Sequence, residues 1–484
     1  MAGPSGMAAP SGSTFAPGKL SLTAVRAVRA AIALGERRDI VVVGGGKSGT
    51  AAAKLLLAKG QSPAICDDRF DSLPSELVPF ERGPIDRSRI DRADLVVLSP
   101  GVPLMHPSLL LARERGVVIG EVELASWWVK APLVGITGTN GKSTTTALAG
   151  HILAEAGLLP FVGGNLGRPL SELALSDEPV KVAVVELSSY QLETLFDVRF
   201  EVGACLNLTP DHADRYSDVA TYARSKERLF ERLSSGGVAV LNADDPWCVD
   251  VSTRLTGNVR WFSIFADEPR ATASGTCRTS SNDLRTAGSI VREFQLRNPR
   301  LPGAHNASNA AAAIECAIAA GAGNDAISRG LRTFAGLPHR IERVGEVGGV
   351  SYLNDSKATN VDSAVIALRA VDGPKVLIVG GRDKGAPWEP LASLSRSRDV
   401  RLVLGIGEAS SIAQRAFEGA APFEPVGTLE AALRRAGDVA QAGWSVLLSP
   451  ACASFDQFKS YEERGDTMRR LVGKMMEDHD GSGR

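Results

Sequence analysis

A 484-residue chain with 44% hydrophobic and 23% charged residues has an ordinary globular composition and is long enough for about two to four domains. Its 54 basic and 55 acidic side chains leave a net charge of −1, which gives no electrostatic footprint for nucleic acid, and no apolar run is long enough for membrane insertion. The six cysteines (Cys66, Cys205, Cys248, Cys277, Cys316 and Cys452) are scattered without a Cys-x-x-Cys pair, and read as free thiols of a reducing cytoplasm rather than zinc ligands or disulfides.

Residues 1–35 are rich in Ala, Gly, Pro and Ser, carry Arg26 and Arg29, and have no acid before Glu36. That composition suits a transit peptide or a flexible tail that never packs, and the tail is the expectation taken. The arginines interrupt the apolar stretch that a secretory signal would need.

A first α/β block follows, expected over 36–128. The strand Ile40-Val41-Val42-Val43 runs into Gly44-Gly45-Gly46-Lys47-Ser48-Gly49 and a helical run over 51–59. Further strands end at Asp67-Asp68-Arg69 and at Ser99-Pro100-Gly101. Strands alternating with helices imply a parallel sheet with right-handed crossovers. Gly44-x-Gly46-x-x-Gly49 with Asp67 about twenty residues on matches the dinucleotide fingerprint. Its physics is only the close approach of a diphosphate to a helix N-terminus. A nicotinamide dinucleotide, a UDP-sugar and a purely structural turn therefore all remain open at this point.

The second block, expected over 129–336, opens with Pro132-Leu133-Val134 and the turn Gly135-Ile136-Thr137-Gly138-Thr139-Asn140-Gly141-Lys142-Ser143-Thr144 before a helix. Converging backbone N–H groups and the helix dipole make such a turn an anion site. Lys142 can neutralise β/γ-phosphate oxygens, and the Ser143 hydroxyl can hold Mg²⁺. ATP binding is therefore expected, although Ile136 stands where the first glycine of the usual P-loop would be. The strand Val182-Ala183-Val184-Val185 ends at Glu186, and another ends near Asn207, ahead of Asp211 and His212. Glu186, an acid at a strand end, would face Mg²⁺, and strand ends on one rim let Glu186 and His212 converge on the P-loop. Lys226, on a helix, has no role legible from spacing. The polar stretch 267–300 suggests a small antiparallel excursion, followed by an alanine-rich helix over 307–320. The third block, expected over 337–484, again alternates strands with helices: Val376-Leu377-Ile378-Val379, Leu402-Val403-Leu404 and Val446-Leu447-Leu448.

Gly138-Thr139-Asn140-Gly141-Lys142-Ser143-Thr144, Asp211-His212-Ala213-Asp214-Arg215-Tyr216, Leu241-Asn242-Ala243-Asp244-Asp245 and Leu301-Pro302-Gly303-Ala304-His305-Asn306-Ala307-Ser308-Asn309-Ala310 together resemble the Mur ligase family, over nearly the whole chain from about residue 38. Four further segments are similar to the branch that adds D-glutamate: Gly163-Gly164-Asn165-Leu166-Gly167, Glu186-Leu187-Ser188-Ser189-Tyr190-Gln191-Leu192, Asn354-Asp355-Ser356-Lys357-Ala358-Thr359-Asn360, and Leu448-Ser449-Pro450-Ala451-Cys452-Ala453-Ser454-Phe455-Asp456-Gln457-Phe458.

The resemblance implies three consecutive α/β domains with mainly parallel sheets: a Rossmann-like N-terminal domain for the UDP moiety, a central P-loop ATPase, and a Rossmann-like C-terminal domain that brings the amino acid. It implies ATP-dependent ligation of D-glutamate to UDP-N-acetylmuramoyl-L-alanine (UDP-MurNAc-L-Ala) through an acyl phosphate, by a cytoplasmic monomer. The implied catalytic set is Lys142, His212, Lys226 and Lys357. Gly138, Thr139, Asn140, Gly141, Lys142, Ser143, Thr144, Asn306, Asn309, Arg340 and Asp355 would bind ATP. Gly46, Lys47, Ser48, Asp67, Asp68, Arg69, Ser99, Gly101, Asn165, Ser188 and Gln191 would bind the UDP substrate, and Thr359, Lys384, Ser454 and Tyr461 the D-glutamate. Ser143, Glu186, His212 and a carbamylated Lys226 would hold two Mg²⁺ ions. Lys47 is a departure where the family is often apolar, and Tyr461 stands where phenylalanine is expected, so its hydroxyl needs a partner. Other Mur ligases and folylpolyglutamate synthase share the central plan. An oxidoreductase, resting on the first glycine motif alone, or an inactive nucleotide-binding scaffold are the readings from other classes.

Overall fold

A computed structural model of the chain describes residues 22–68, 81–211, 215–265, 268, 270–271, 275–278, 283–286, 292–301 and 303–482. Three sheets follow one another in the sequence. The first contains β1 (Ile40–Val43), β2 (Ala64–Cys66), β3 (Arg82–Gly83), β4 (Leu95–Leu98) and β5 (Val118–Gly120) in the order β3-β2-β1-β4-β5, all parallel. β1, β4 and β5 are short apolar runs buried on both faces, as a parallel sheet covered by helices requires, while β3 is a short polar edge. The order reverses between β1 and β4, and ligands of such sheets bind beyond the strand ends at that crevice.

The second sheet has nine strands: β6 (Leu133–Thr137), β7 (Pro160–Gly164), β8 (Val182–Glu186), β9 (Phe200–Cys205), β10 (Leu233–Asn242), β11 (Asn258–Ser263), β12 (Gly275–Arg278), β13 (Asp283–Thr286) and β14 (Arg292–Gln295). Their order is β14-β13-β12-β11-β10-β9-β6-β8-β7, with β12, β13 and β14 antiparallel to one another, which is the excursion expected over 267–300. β6 lies between β9 and β8, so the turn after Thr137, the acid at Glu186 and the loop after Cys205 share one rim.

The third sheet contains β15 (Glu342–Val347), β16 (Val350–Asn354), β17 (Lys375–Gly380), β18 (Val400–Ile406), β19 (Phe423–Gly427) and β20 (Ser445–Leu448), ordered β15-β16-β20-β17-β18-β19. All its neighbours are parallel except the β15–β16 hairpin.

One expectation needs correction. Residues 1–21 lie outside the described residues, but Leu22–Ala33 is a helix and not part of a flexible tail. Val25, Val28 and Ile32 recur at helical spacing and are buried with Trp127, Phe196 and Val198. The Arg26 guanidinium grips Asp197 through two hydrogen bonds of 2.7 and 2.6 Å. The narrow apolar stripe was hidden by the surrounding alanines and arginines. The described cysteines are all buried free thiols. Among the described residues, no helix is long and apolar enough to cross a membrane.

Candidate active site

β6 feeds the P-loop, and helix Lys142–Glu155 begins on Gly141 with no side-chain cap and no acid in its first turn. Its N-terminal N–H groups are thus left for an external anion. Gly141 has φ +85°, and a Cβ there would lie 2.2 Å from Asn309 Oδ1, so glycine is required twice over. Asn207 braces the turn. Its Oδ1 accepts from the backbone of Thr139 (3.1 Å) and Asn140 (2.8 Å), and its Nδ2 donates to the Asn140 carbonyl (3.1 Å). Lys142 Nζ donates to the carbonyls of Gly138 (2.9 Å) and Thr139 (2.8 Å). Burial lowers its pKa, with Glu186 opposing and Arg340 reinforcing the shift.

Around this loop the structure gathers charges from distant parts of the chain. Glu186 is 2% exposed; its Oε1 accepts from Asn165 Nδ2 at 2.8 Å, while its Oε2 is buried with no partner. Lys226 is 1% exposed and donates to the Gly138 carbonyl at 2.9 Å, with the Tyr222 ring 4.6 Å away. Burial first, and the like charge of Lys142 second, push Lys226 down to about 7. From the third block, Lys357 Nζ (3.3 Å) and Arg340 Nη2 (3.4 Å) both donate to the Ser143 hydroxyl. Burial beside Arg340 brings Lys357 down to about 8.

A divalent cation fits this donor set. The Glu186 Oε2 has no hydrogen-bond partner, and Ser143 and Glu186 are hard oxygen donors of the kind Mg²⁺ takes. Among the described residues no three His, Cys, Asp or Glu side chains form a metal cluster. His212 lies outside the described residues.

A cavity of about 440 Å³ opens between the first and second sheets at the β1/β4 crevice. Of the residues expected at the UDP moiety, Gly46, Lys47, Ser48, Asp67, Asp68, Ser99, Gly101, Asn165 and Gln191 line it. Arg69 lies outside the described residues. Ser188 does not line it: its hydroxyl accepts from Gln191 N at 3.2 Å and donates to Gln191 Oε1 at 3.1 Å, capping the helix Ser189–Leu192. Asp67 Oδ2 accepts from Gly45 N at 2.8 Å, so this acid ties down the glycine loop. Helix Lys47–Ala58 starts at Gly46 without a side-chain cap, again leaving donors for an anion. Asn165 is shared, because it lines the cavity and also holds Glu186.

In the third block Ser454 is buried, Lys384 is exposed, and Thr359 and Tyr461 are half-buried. Lys384 acts electrostatically on Cys452, two residues before Ser454. The Tyr461 hydroxyl finds its partner in the adjacent Glu462. Its ring lies 5.3 Å from Lys357 Nζ, so it packs against the P-loop side of the block. Asp355 is buried, accepts from Ser449 Oγ (2.8 Å) and Ile341 N (3.3 Å), and is pushed up to about 7 by burial. Asn306 and Asn309 are buried on helix Gly303–Ala319 beside Gly141 and bond to one another at 3.2 Å.

Sequence reasoning missed four groups. Asn207, the P-loop brace, gave no signal beyond ending a strand. His305 is half-buried near Arg340, and desolvation followed by that like charge lowers it to about 4, hence neutral at pH 7. Arg464, 1% exposed, donates to the carbonyls of Ser356 (2.9 Å) and Cys452 (3.1 Å), pinning the segments of Lys357 and Ser454 together. His339 and Ile341 have φ of +61° and +47° on either side of Arg340, a pair of left-handed non-glycine residues that fixes where this arginine leaves the chain.

Comparison with known proteins agrees with this architecture. Residues 38–120 match the Mur ligase MurD-like N-terminal domain, 136–317 the Mur ligase middle domain, and 339–452 the Mur ligase glutamate ligase domain. The UDP-N-acetylmuramoylalanine–D-glutamate ligase of Anaeromyxobacter dehalogenans is 46% identical over 90% of this chain and 97% of its own. That of Myxococcus xanthus is 44% identical over 90% and 98%. Among solved structures, a pseudomurein peptide ligase type C from Methanothermus fervidus superposes with a TM-score of 0.57 at 21% identity, covering 90% of this chain and all of that one. The UDP-N-acetylmuramate-alanine ligase of Thermotoga maritima gives 0.57 at 19% identity with the same coverage; these two show the shared fold.

Proposed function

The chain belongs to the Mur ligase family, and we propose on that basis that it joins D-glutamate to UDP-MurNAc-L-Ala at the expense of ATP, making a peptidoglycan precursor in the cytoplasm, as a monomer. One observation carries the mechanism: Lys357 and Arg340 of the third block meet on the Ser143 hydroxyl of the P-loop, next to a glutamate whose other oxygen is held by the UDP-cavity residue Asn165. That arrangement supports a reading in which nucleotide, acceptor and amino acid meet at one point.

The chemistry requires such a point. A carboxylate is a poor electrophile, so its oxygen attacks the γ-phosphorus of ATP, ADP departs, and an acyl phosphate forms. The free amine of D-glutamate adds to the acyl carbon, and the tetrahedral intermediate expels inorganic phosphate as the ammonium proton is lost. In the first step two anions must meet. Lys142 and Arg340 neutralise the phosphates as they approach, and Lys357 faces the transferring group. Ser143 and Glu186 would hold one Mg²⁺ and Glu186, His212 and a carbamylated Lys226 a second, and the ions would supply further neutralisation of phosphate oxygens. Asn306, Asn309 and Asp355 hold the nucleotide. The cavity residues, with Arg69, hold the UDP moiety. Thr359, Lys384, Ser454 and Tyr461 hold D-glutamate, Lys384 giving its side-chain carboxylate a cation. Domain limits near 128 and 336 separate the three units.

Lys226 is suited to carbamylation. At about 7 a substantial fraction of it is unprotonated amine at neutral pH. The neutral amine adds through its nitrogen to CO₂ and loses one proton, giving the carbamate anion a neighbouring metal needs. Bicarbonate is expected to restore activity to enzyme depleted of CO₂, and a rate indifferent to both treatments would remove the modification from the account. The ligase reading itself is tested by product: stoichiometric ADP and one new amide containing D-glutamate are expected, and ATP hydrolysis without amide would defeat it.

A further inference from the structure

We propose that Arg215 is a positioning residue that ties together the two walls of the UDP cavity. The inference rests on the ligase reading for the identity of the substrate, but its geometry is independent of it. Arg215 Nη1 donates to the Pro100 carbonyl at 3.2 Å, in the loop after β4 of the first sheet. Its Nη2 donates to Glu193 Oε2 at 2.8 Å, in the segment that follows β8 of the second sheet. The guanidinium face lies 3.8 Å from the centroid of the Tyr190 ring. Glu193 is fixed in turn by the Tyr216 hydroxyl, 2.6 Å from its Oε1. Both members of the ion pair are largely buried, at 12% and 16% side-chain exposure.

The anchors of this arginine are cavity wall. Pro100 lines the UDP cavity from the first sheet, and Gln191, two residues before Glu193, lines it from the second. A small void behind the wall is bordered by Ser99, Pro100, Tyr190, Gln191 and Arg215 together. The two walls belong to separate sheets that share one buried apolar cluster, and Arg215 adds a polar tie between them at the cavity itself. A planar guanidinium that donates in two directions while stacking on a ring fixes position and orientation at once; a lysine, a point charge on a flexible stem, cannot. The P-loop is braced elsewhere, by Asn207, so loss of the tie is expected to act on the UDP ligand far more than on ATP.

The test is calorimetric binding of UDP-MurNAc-L-Ala and, separately, of ATP with Mg²⁺ to the full-length protein and its Arg215→Met and Arg215→Lys variants. Arg215→Met is expected to weaken the UDP ligand at least tenfold and ATP less than twofold. Arg215→Lys, which keeps the charge opposite Glu193, is expected to fall between, at least threefold. Should the methionine variant fail to fold, the lysine variant is read by the same ratio. A UDP-ligand affinity within twofold of the parent, or equal loss for both ligands, would overturn the proposal. If the unmodified protein binds no UDP-MurNAc-L-Ala, it is the ligase reading that fails instead.

Discussion

Replacing Glu186 with glutamine separates a stabilising acid from a catalytic one. The two side chains are isosteric, and the glutamine oxygen can still accept from Asn165 Nδ2, now at 2.8 Å from Glu186 Oε1. What changes is Oε2, a buried carboxylate oxygen without a partner. Burying such an atom costs about 1–3 kcal/mol when nothing compensates it. The attraction of Lys142 and Lys357 offsets part of that cost. The ligand-free variant should therefore melt at or slightly above the parent temperature. Catalysis should move the other way. Losing a ligand of the cation that would neutralise the transferring phosphate should cost about 10²–10³-fold in kcat, or about 2.7–4 kcal/mol. The weakened cation site should also raise the Mg²⁺ concentration that gives half-maximal rate. Differential scanning calorimetry without ligand, paired with a Mg²⁺ titration of turnover, reads both. A lowered melting temperature with kcat within threefold of the parent would refute the reasoning, because it would make Glu186 a structural residue.

Three further outcomes follow from the same geometry. Gly141→Ala forces a side chain into a left-handed position, at about 1–2 kcal/mol, and onto Asn309, so the KM for ATP should rise at least tenfold while binding of the UDP substrate is unchanged; an unchanged KM for ATP would contradict the P-loop assignment. Asp355 is raised from 3.8 to about 7, so the folded state holds its proton the more tightly, and the stability this contributes below 3.8 is lost as pH rises through 7. Asp355→Asn should therefore melt above the parent at pH 8, with the gap narrowing towards pH 5; a gap independent of pH would contradict the burial argument, whatever the variant does to ATP affinity. Deleting residues 1–33 removes the buried Val25, Val28 and Ile32, worth about 1.5–3 kcal/mol each before the entropy of ordering the helix is subtracted. The melting temperature should fall by several degrees, and an unchanged value would show that the helix is a passive addition.

The continuous apolar strands were legible because parallel strands buried on both faces leave an unbroken signature: Ile40–Val43 and Leu95–Leu98 read directly from the sequence. The P-loop and the strand-end Glu186 were legible for the same reason, since backbone geometry dictates residue type there. Lys226 had no such signal, because its environment is made by Gly138 and Lys142, more than eighty residues away in the chain. Asn207, Arg215 and Arg464 act by bridging segments that only the fold brings together. The β15–β16 hairpin was hidden behind Gly348 and Gly349, and the helix Leu22–Ala33 behind a composition dominated by small residues.

Whether the three blocks converge to activate a carboxylate for attack by D-glutamate is read from phosphate release from ATP in the presence of UDP-MurNAc-L-Ala and bicarbonate. The assay is run with D-glutamate, with L-glutamate, with L-lysine and with no amino acid. Sustained release only with D-glutamate, matched mole for mole by a new amide, is the predicted result. Equal release with L-lysine would contradict the specificity assigned to Lys384 and Ser454, and no release under any combination would contradict the ligase mechanism itself.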